Sequence, residues 1–345
     1  MLKLAVLLLA TGLTVPPQPV VAVHNFGPNL QQVAGGVCRQ PEGLAIDPSG
    51  NLYTASNSDS ATTVSHVCVL NPAGQLTDII NIPAEPIDAI GLVGELWDNG
   101  RLFVLDQADD VAPDGRVLLV NPRTHAVSTF ATGFAFPNCI IKDSSGNLYV
   151  SDSLQGRIYK LSPDGRTMSV WAESPLLLSN NPAQNVGAND MAFDRGQHYL
   201  YIDNTGNRQV FRIPVQSDGS AGPLELFADG ATIDSRLDLA GPVALYGADG
   251  IQFDVRGNLY VMANQADEVQ VLSPAGDLIA RYIGTGTNAL DFNASPVFEG
   301  RSLYITNMSA ADGGINSKVS VMTAPYPGLL PISSWVRTSH RERGR

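Results

Sequence analysis

Four residues far apart in the chain, Glu42, Asn138, Asn189 and Asp249, carry oxygen-bearing side chains at one register of a repeated pattern. Each stands eleven or twelve residues ahead of a recurring aromatic, Tyr53, Tyr149, Tyr201 or Tyr260. The same count from Tyr304 gives Asn293; in the insertion-distorted second copy it gives Leu92, with Asp88 the nearest acid. One Glu, one Asp and several carboxamides form a hard-oxygen set. Calcium takes about 6–8 such ligands, and water or substrate can supply those the protein lacks. A cation held there polarises a carbonyl or phosphoryl oxygen, while a carboxylate activates water or attacks directly. Asp249 is assigned that role and Glu42 is mainly a ligand; Asp88 and Asn293 are candidates for contact with substrate. Another divalent cation would suit the same set. Zinc would not, because the register carries no His, and Cys139 falls on the opposite side of its strand by alternation.

Asn and Asp also favour strand ends and turns for backbone reasons, so one of them alone would mean little. Asp47, Asp143, Asp194 and Asp254 repeat with the pattern as well, but they sit in the turns and are assigned there. The opening set differs because strand packing does not call for charge at those places.

The pattern that would position these residues is a strand, turn and strand. It reads LAIDPSGNLY from Leu44, IIKDSSGNLY from Ile140, MAFDRGQHYLY from Met191 and IQFDVRGNLY from Ile251. LWDNGRLF from Leu96 and VFEGRSLY from Val297 are more worn copies. The aromatics Tyr53, Phe103, Tyr149, Tyr201, Tyr260 and Tyr304 recur at intervals of 44 to 59 residues. A following strand ends near a proline in every copy, at Pro72, Pro122, Pro163, Pro214, Pro274 and Pro325. Two independent signals count six units, each a meander unable to bury both faces alone. The expected fold is an all-β six-bladed propeller with four-stranded antiparallel blades, closed by a strand from about Val23 to Gly35. The opening residue of each innermost strand then lines the axial channel.

Across 345 residues, 44% are apolar and 16% charged, with Gly 33 and Pro 23, as befits a turn-rich globular chain with a large core. A net charge of −12 opposes binding to nucleic acid. Lys3, the apolar run Leu4–Ala10 and the small residues at Val20–Ala22 resemble a secretory signal, so cleavage after Ala22 and a secreted or periplasmic protein are expected. No run is long enough to span a membrane as a helix. The domains expected are a signal peptide at 1–22, the propeller at 23–330 and a basic tail at 331–345. A monomer acting on a small molecule is expected. Cys38 and Cys68 are able to pair, though their spacing does not compel it, and Cys139 is left over.

PEGLAID around Glu42, FPNCII around Asn138, GANDMAFD around Asn189, DNTGNRQVFRIP from Asp203 and GADGIQFD around Asp249 together resemble one family. It is that of senescence marker protein, gluconolactonase and luciferin-regenerating enzyme, whose fold also houses phosphotriesterases of the diisopropyl-fluorophosphatase type. The resemblance runs from about Glu42 to Pro325. It implies one catalytic calcium held by Glu42, Asn138, Asn189 and Asp249, the four residues that the register selects. It also implies a hydrolase of small lactones or related esters. Cys139 departs from the Gly that often follows the first Asn, and nothing matches a paraoxonase-type histidine pair.

Other chemistry finds little support. There is no G-x-S-x-G for a serine nucleophile. GTGTNA at Gly284–Ala289 lies between strands and opens no helix, unlike a dinucleotide fingerprint. The rival reading is a non-catalytic propeller that binds a ligand or a protein partner.

Overall fold

The computed structural model describes residues 23–27, 37–57, 64–83, 91–107 and 113–329. Their strands form six four-stranded sheets, each sheet an antiparallel meander running outward from an innermost strand. The innermost strands are Pro41–Ile46, Leu92–Asp98, Pro137–Lys142, Ala188–Phe193, Ala248–Phe253 and Asn293–Glu299, which define blades one to six. In blade six the outermost strand comes from the other end of the chain. His24–Gly27 pairs antiparallel with Lys318–Thr323, with His24 opposite Val321, and closes the ring. Only the first part of the stretch expected to do this is described. Met1–Ala22, Asp88 and the tail 331–345 lie outside the described residues.

The repeated acids make the turns, as their chemistry suggests. Asp47 Oδ1 accepts the amides of Ser49 and Asn51 at 2.7 and 2.9 Å, and its Oδ2 accepts Asn51 Nδ2 at 2.8 Å. Asp143 and Asp254 repeat this geometry on Ser145 and Asn147, and on Arg256 and Asn258. The chain reverses through Gly50, Gly146 and Gly257 at φ of +83°, +89° and +82°, a region costly for any residue with a Cβ.

The repeated aromatics join one blade to the next. Tyr53 lies against Trp97, Tyr149 against Phe193, Tyr201 against Phe253 and Tyr260 against Phe298, with ring centroids 4.9 to 5.2 Å apart. In each pair the partner belongs to the innermost strand of the following blade. Such ring pairs contribute about 0.5–1.5 kcal/mol beyond the area they bury. The fixed aromatic register therefore follows from the blade-to-blade interface.

Cys38 and Cys68 form a disulfide across 6.1 Å between Cα atoms, tying the approach to blade one to its third strand. Cys139 is free and buried. Among the described residues no helix is long and apolar enough to cross a membrane.

Candidate active site

The innermost strands do not pair evenly with their neighbours. In blades one, three, four and five the register shifts between Pro41 and Leu44, Pro137 and Ile140, Ala188 and Met191, and Ala248 and Ile251. Each irregularity holds two residues, and the first of them is Glu42, Asn138, Asn189 or Asp249. A bulge bends its strand and re-aims a side chain, which frees these four from the pairing that governs the rest of the strand. All four are buried, at 3 to 8% exposure, and line one cavity of about 370 Å³ on the axis.

Blades two and six carry no side-chain oxygen at the opening place. Tyr304 pairs with Val297 and Tyr260 with Gln252, so the blade-six hairpin is one residue shorter and Ala294 takes the opening place. Asn293 stands one residue earlier. Its Nδ2 donates to the carbonyl of Glu268 at 3.0 Å, and the blade-six part of the cavity wall is Ser295, Pro296 and Val297. Counting eleven residues therefore misplaces Asn293. In blade two Phe103 pairs with Leu96, and the equivalent place belongs to Val93 rather than Leu92.

Asn189 and Asp249 are joined directly. Asn189 Nδ2 donates to Asp249 Oδ1 at 2.8 Å and to Thr205 Oγ1 at 2.7 Å. Asn264 Nδ2 donates to Asp249 Oδ2, also at 2.8 Å. Both oxygens of Asp249 are thus fixed by neutral amides, with no cationic side chain on either. Thr205 and Asn264 were not among the sequence candidates. Each stands four residues after its blade's aromatic, where Asn57, Gln107 and Ser153 are polar too.

In the ring, Glu42 Oε2 and Asn189 Oδ1 are buried oxygens with no hydrogen-bond donor; so are Asn264 Oδ1, beside Asp249, and both Oε atoms of Glu95, which lines the same cavity. Burial pushes the Glu42 carboxyl well up, helped by the negative charges of Asp249, Asp190 and Glu95. Burial also pushes Asp249 up to about 7, although the amides of Asn264 and Asn189 pull the other way. Asp190 is raised to about 6 by burial, partly offset by hydrogen bonds from the Cys139 thiol and the amides of Ile251 and Met191. Burial also pushes Glu95, on the innermost strand of blade two, well up. Leftover acceptors and crowded, unneutralised carboxylates are what a hard cation would satisfy. The residues present fit that group. Among the described residues no three His, Cys, Asp or Glu side chains cluster as metal ligands; the ring combines two carboxylates with two carboxamides.

Cys139 lies between blades three and four, with Sγ accepting from the Met191 amide at 3.3 Å. Burial pushes its thiol well up, with the charge of Asp190 adding to the shift, so it is no ready nucleophile.

Residues 179–309 match the SMP-30/gluconolactonase/LRE-like region. That stretch includes Asn189, Thr205, Asp249 and Asn264. Residues 29–58, which include Glu42, match the N-terminal region of strictosidine synthase-like proteins. The chain is 24% identical over 257 residues to a lactonase of Staphylococcus saprophyticus, drp35, a match covering 72% of this chain and 70% of that one. Among solved structures it resembles a luciferin-regenerating enzyme, with a TM-score of 0.62 at 15% identity over 90% of this chain and 98% of that one. It also resembles regucalcin of Agrobacterium tumefaciens, described as a calcium-binding protein, with a TM-score of 0.59 at 16% identity over 88% and 95%. At such identities the two structures show a shared fold. The resemblance drawn from the sequence therefore extends to an SMP-30/gluconolactonase/LRE-like region and a gluconolactonase-like propeller.

Proposed function

We propose that this propeller is a calcium-dependent hydrolase of small lactones or related esters, with its site at the ring of Glu42, Asn138, Asn189 and Asp249. The observation that carries the reading is the convergence of these four on one cavity, with Glu42 Oε2 and Asn189 Oδ1 left as buried acceptors without donors. The lactonase relative and the SMP-30/gluconolactonase/LRE-like match support the same substrate class.

The four ring residues would hold the cation. Calcium bound there supplies a Lewis acid for the carbonyl oxygen of the ester. Asp249 accepts the proton of the attacking water at a carboxylate oxygen, or attacks the carbonyl itself. Asn189 and Asn264 keep that carboxylate from rotating by donating to one oxygen each. Asn138 and Asn189 contribute oxygens without further negative charge, which limits repulsion among the acids. Leu44, Ile140, Met191 and Ile251 line the cavity around the ring and restrict bulk water. A volume near 370 Å³ is at the small end of ligand sites and suits a compact ring.

Export belongs to the same proposal. The Met1–Ala22 segment has the composition of a cleaved leader, and a disulfide such as Cys38–Cys68 persists in oxidising compartments.

The test is turnover of the purified protein on a panel of lactones and aryl esters, before and after chelation and again with calcium returned. Lactone hydrolysis that is lost to chelator and regained with calcium is expected. If no ester is turned over under any condition, the reading gives way to a propeller that only binds its ligand.

A further inference from the structure

Two hydroxyls outside the ring hold two of its members by their backbones. Ser151, in the second strand of blade three, donates from Oγ to the carbonyl oxygen of Asn189 at 2.6 Å. Thr306, in the second strand of blade six, donates from Oγ1 to the carbonyl oxygen of Glu42 at 2.9 Å. Each bond crosses to the following blade, from three to four and from six to one, and both hydroxyls are fully buried.

The two also accept in the same way. Ser151 Oγ accepts the amide of Cys139, and Thr306 Oγ1 that of Ser295, each at 2.9 Å. Cys139 and Ser295 are bulge residues of the hydroxyl's own blade. A single hydroxyl therefore fixes the bulge behind it and the ring residue ahead of it.

The equivalent position lies two residues after each blade's aromatic. It is Ala55 in blade one, Leu105 in blade two, Asp203 in blade four and Met262 in blade five. Asp203 accepts the amide of Asp190 through Oδ1 at 2.8 Å, but its other oxygen, Oδ2, reaches no partner and so makes no bond onward to the next blade. The alanine, leucine and methionine can do neither. Only blades three and six place a hydroxyl here, and each hydroxyl meets a residue of the ring. The two contacts stand three blades apart and hold Glu42 and Asn189 from opposite sides of the axis.

We propose that Ser151 and Thr306 are positioning residues for the cation ring, fixing the backbones of Asn189 and Glu42 so that their side-chain oxygens face the axis together. This rests on the calcium reading of the ring. A pre-set backbone means that little ordering is left for the moment of binding, so loss of the hydroxyl should appear in affinity for the cation.

The experiment is a calorimetric titration of calcium into chelator-stripped full-length protein, paired with thermal melts of the same samples without calcium. Thr306→Val keeps the shape and removes the hydroxyl, Ser151→Ala removes the other, and Thr306→Ser keeps the donor. Ser320→Ala is the control: it is buried in blade six and holds the Asn307 amide at 3.0 Å, away from the ring. Thr306→Val and Ser151→Ala should each weaken calcium binding about tenfold. Thr306→Ser should bind within about twofold of wild type. Ser320→Ala should lower the melting temperature without changing calcium affinity. Calcium affinity that stays within about twofold in all the variants, with wild type binding normally, overturns this inference alone. So does a loss of affinity in Ser320→Ala as large as that in Thr306→Val. Wild type that takes up no calcium overturns the proposed function and this inference together.

Discussion

The Asn189 amide reaches across the interface between blades four and five and donates to Asp249 Oδ1 at 2.8 Å. With its nitrogen committed to Asp249 and Thr205, the Asn189 oxygen remains a buried acceptor with nothing to accept. One contact therefore orients the carboxylate assigned to chemistry and presents a neutral ligand beside it.

Replacing Asp249 with Asn should separate ligand from base. Asp249→Asn keeps an oxygen of nearly the same shape but loses a negative charge and the ability to take a proton. Calcium binding weakens, and turnover stays at least about 100-fold down even at saturating calcium. Asp254→Asn, which alters a turn acid in the same blade, should leave kcat near wild type. Steady-state kinetics across a calcium series decides. Full turnover of Asp249→Asn at high calcium would reduce Asp249 to a ligand.

Asn264 should act on turnover through Asp249. Asn264→Leu removes the 2.8 Å donor to Asp249 Oδ2 while keeping most of the bulk. The carboxylate gains rotational freedom, and kcat falls about tenfold while KM changes little, if the lost bond is worth more in the transition state than in the bound substrate. An unchanged kcat would show that the Asn189 contact alone is sufficient.

The cation-free protein should lose stability as pH rises. Asp249 and Asp190 are raised to about 7 and about 6 by burial, above the ordinary carboxylate value of about 4. Stability from their neutral forms is fully present below about pH 4 and lost as pH climbs through about 6 to 7. Melting temperatures in chelator should fall across that window, and Asp249→Asn should flatten the fall. Calcium should restore most at the upper end, where the carboxylates are ionised. A wild-type slope equal to that of the variant would contradict the assignment.

The Cys38–Cys68 bridge should be a main support of blade one. It closes a loop with a sequence separation of 30, for which chain entropy alone predicts about 3–4 kcal/mol. Cys38→Ser with Cys68→Ser should lower the urea midpoint accordingly, and reductant should do the same to wild type but nothing further to the variant. Equal midpoints with and without reductant would show that the bridge adds no stability.

The blade repeat is legible because it is written twice, in the aromatics that meet the next blade and in the prolines that end each third strand. Four ring residues are legible for the same reason: three hairpins share one length, and the extra residue of blade four shows in its sequence. Asn293 is misplaced by counting because the blade-six hairpin is one residue short, which shifts the opening place to Ala294. Blade two misleads in the same way: Phe103 pairs with Leu96, so this hairpin is also one residue short and the opening place falls on Val93. Thr205 and Asn264 escape notice although their register repeats, since a polar residue at a strand end has an ordinary turn reading. Glu95 carries no sequence signal: its register place holds Leu44, Ile140, Met191, Ile251 and Pro296 in the other blades.

Diffraction from crystals soaked in calcium tests the central claim most directly. One calcium should appear on the axis with side-chain oxygens of Glu42, Asn138, Asn189 and Asp249 at about 2.3–2.6 Å, the remaining positions filled by water. No bound ion at saturating calcium, or an ion held without Asn189 and Asp249, would contradict the account.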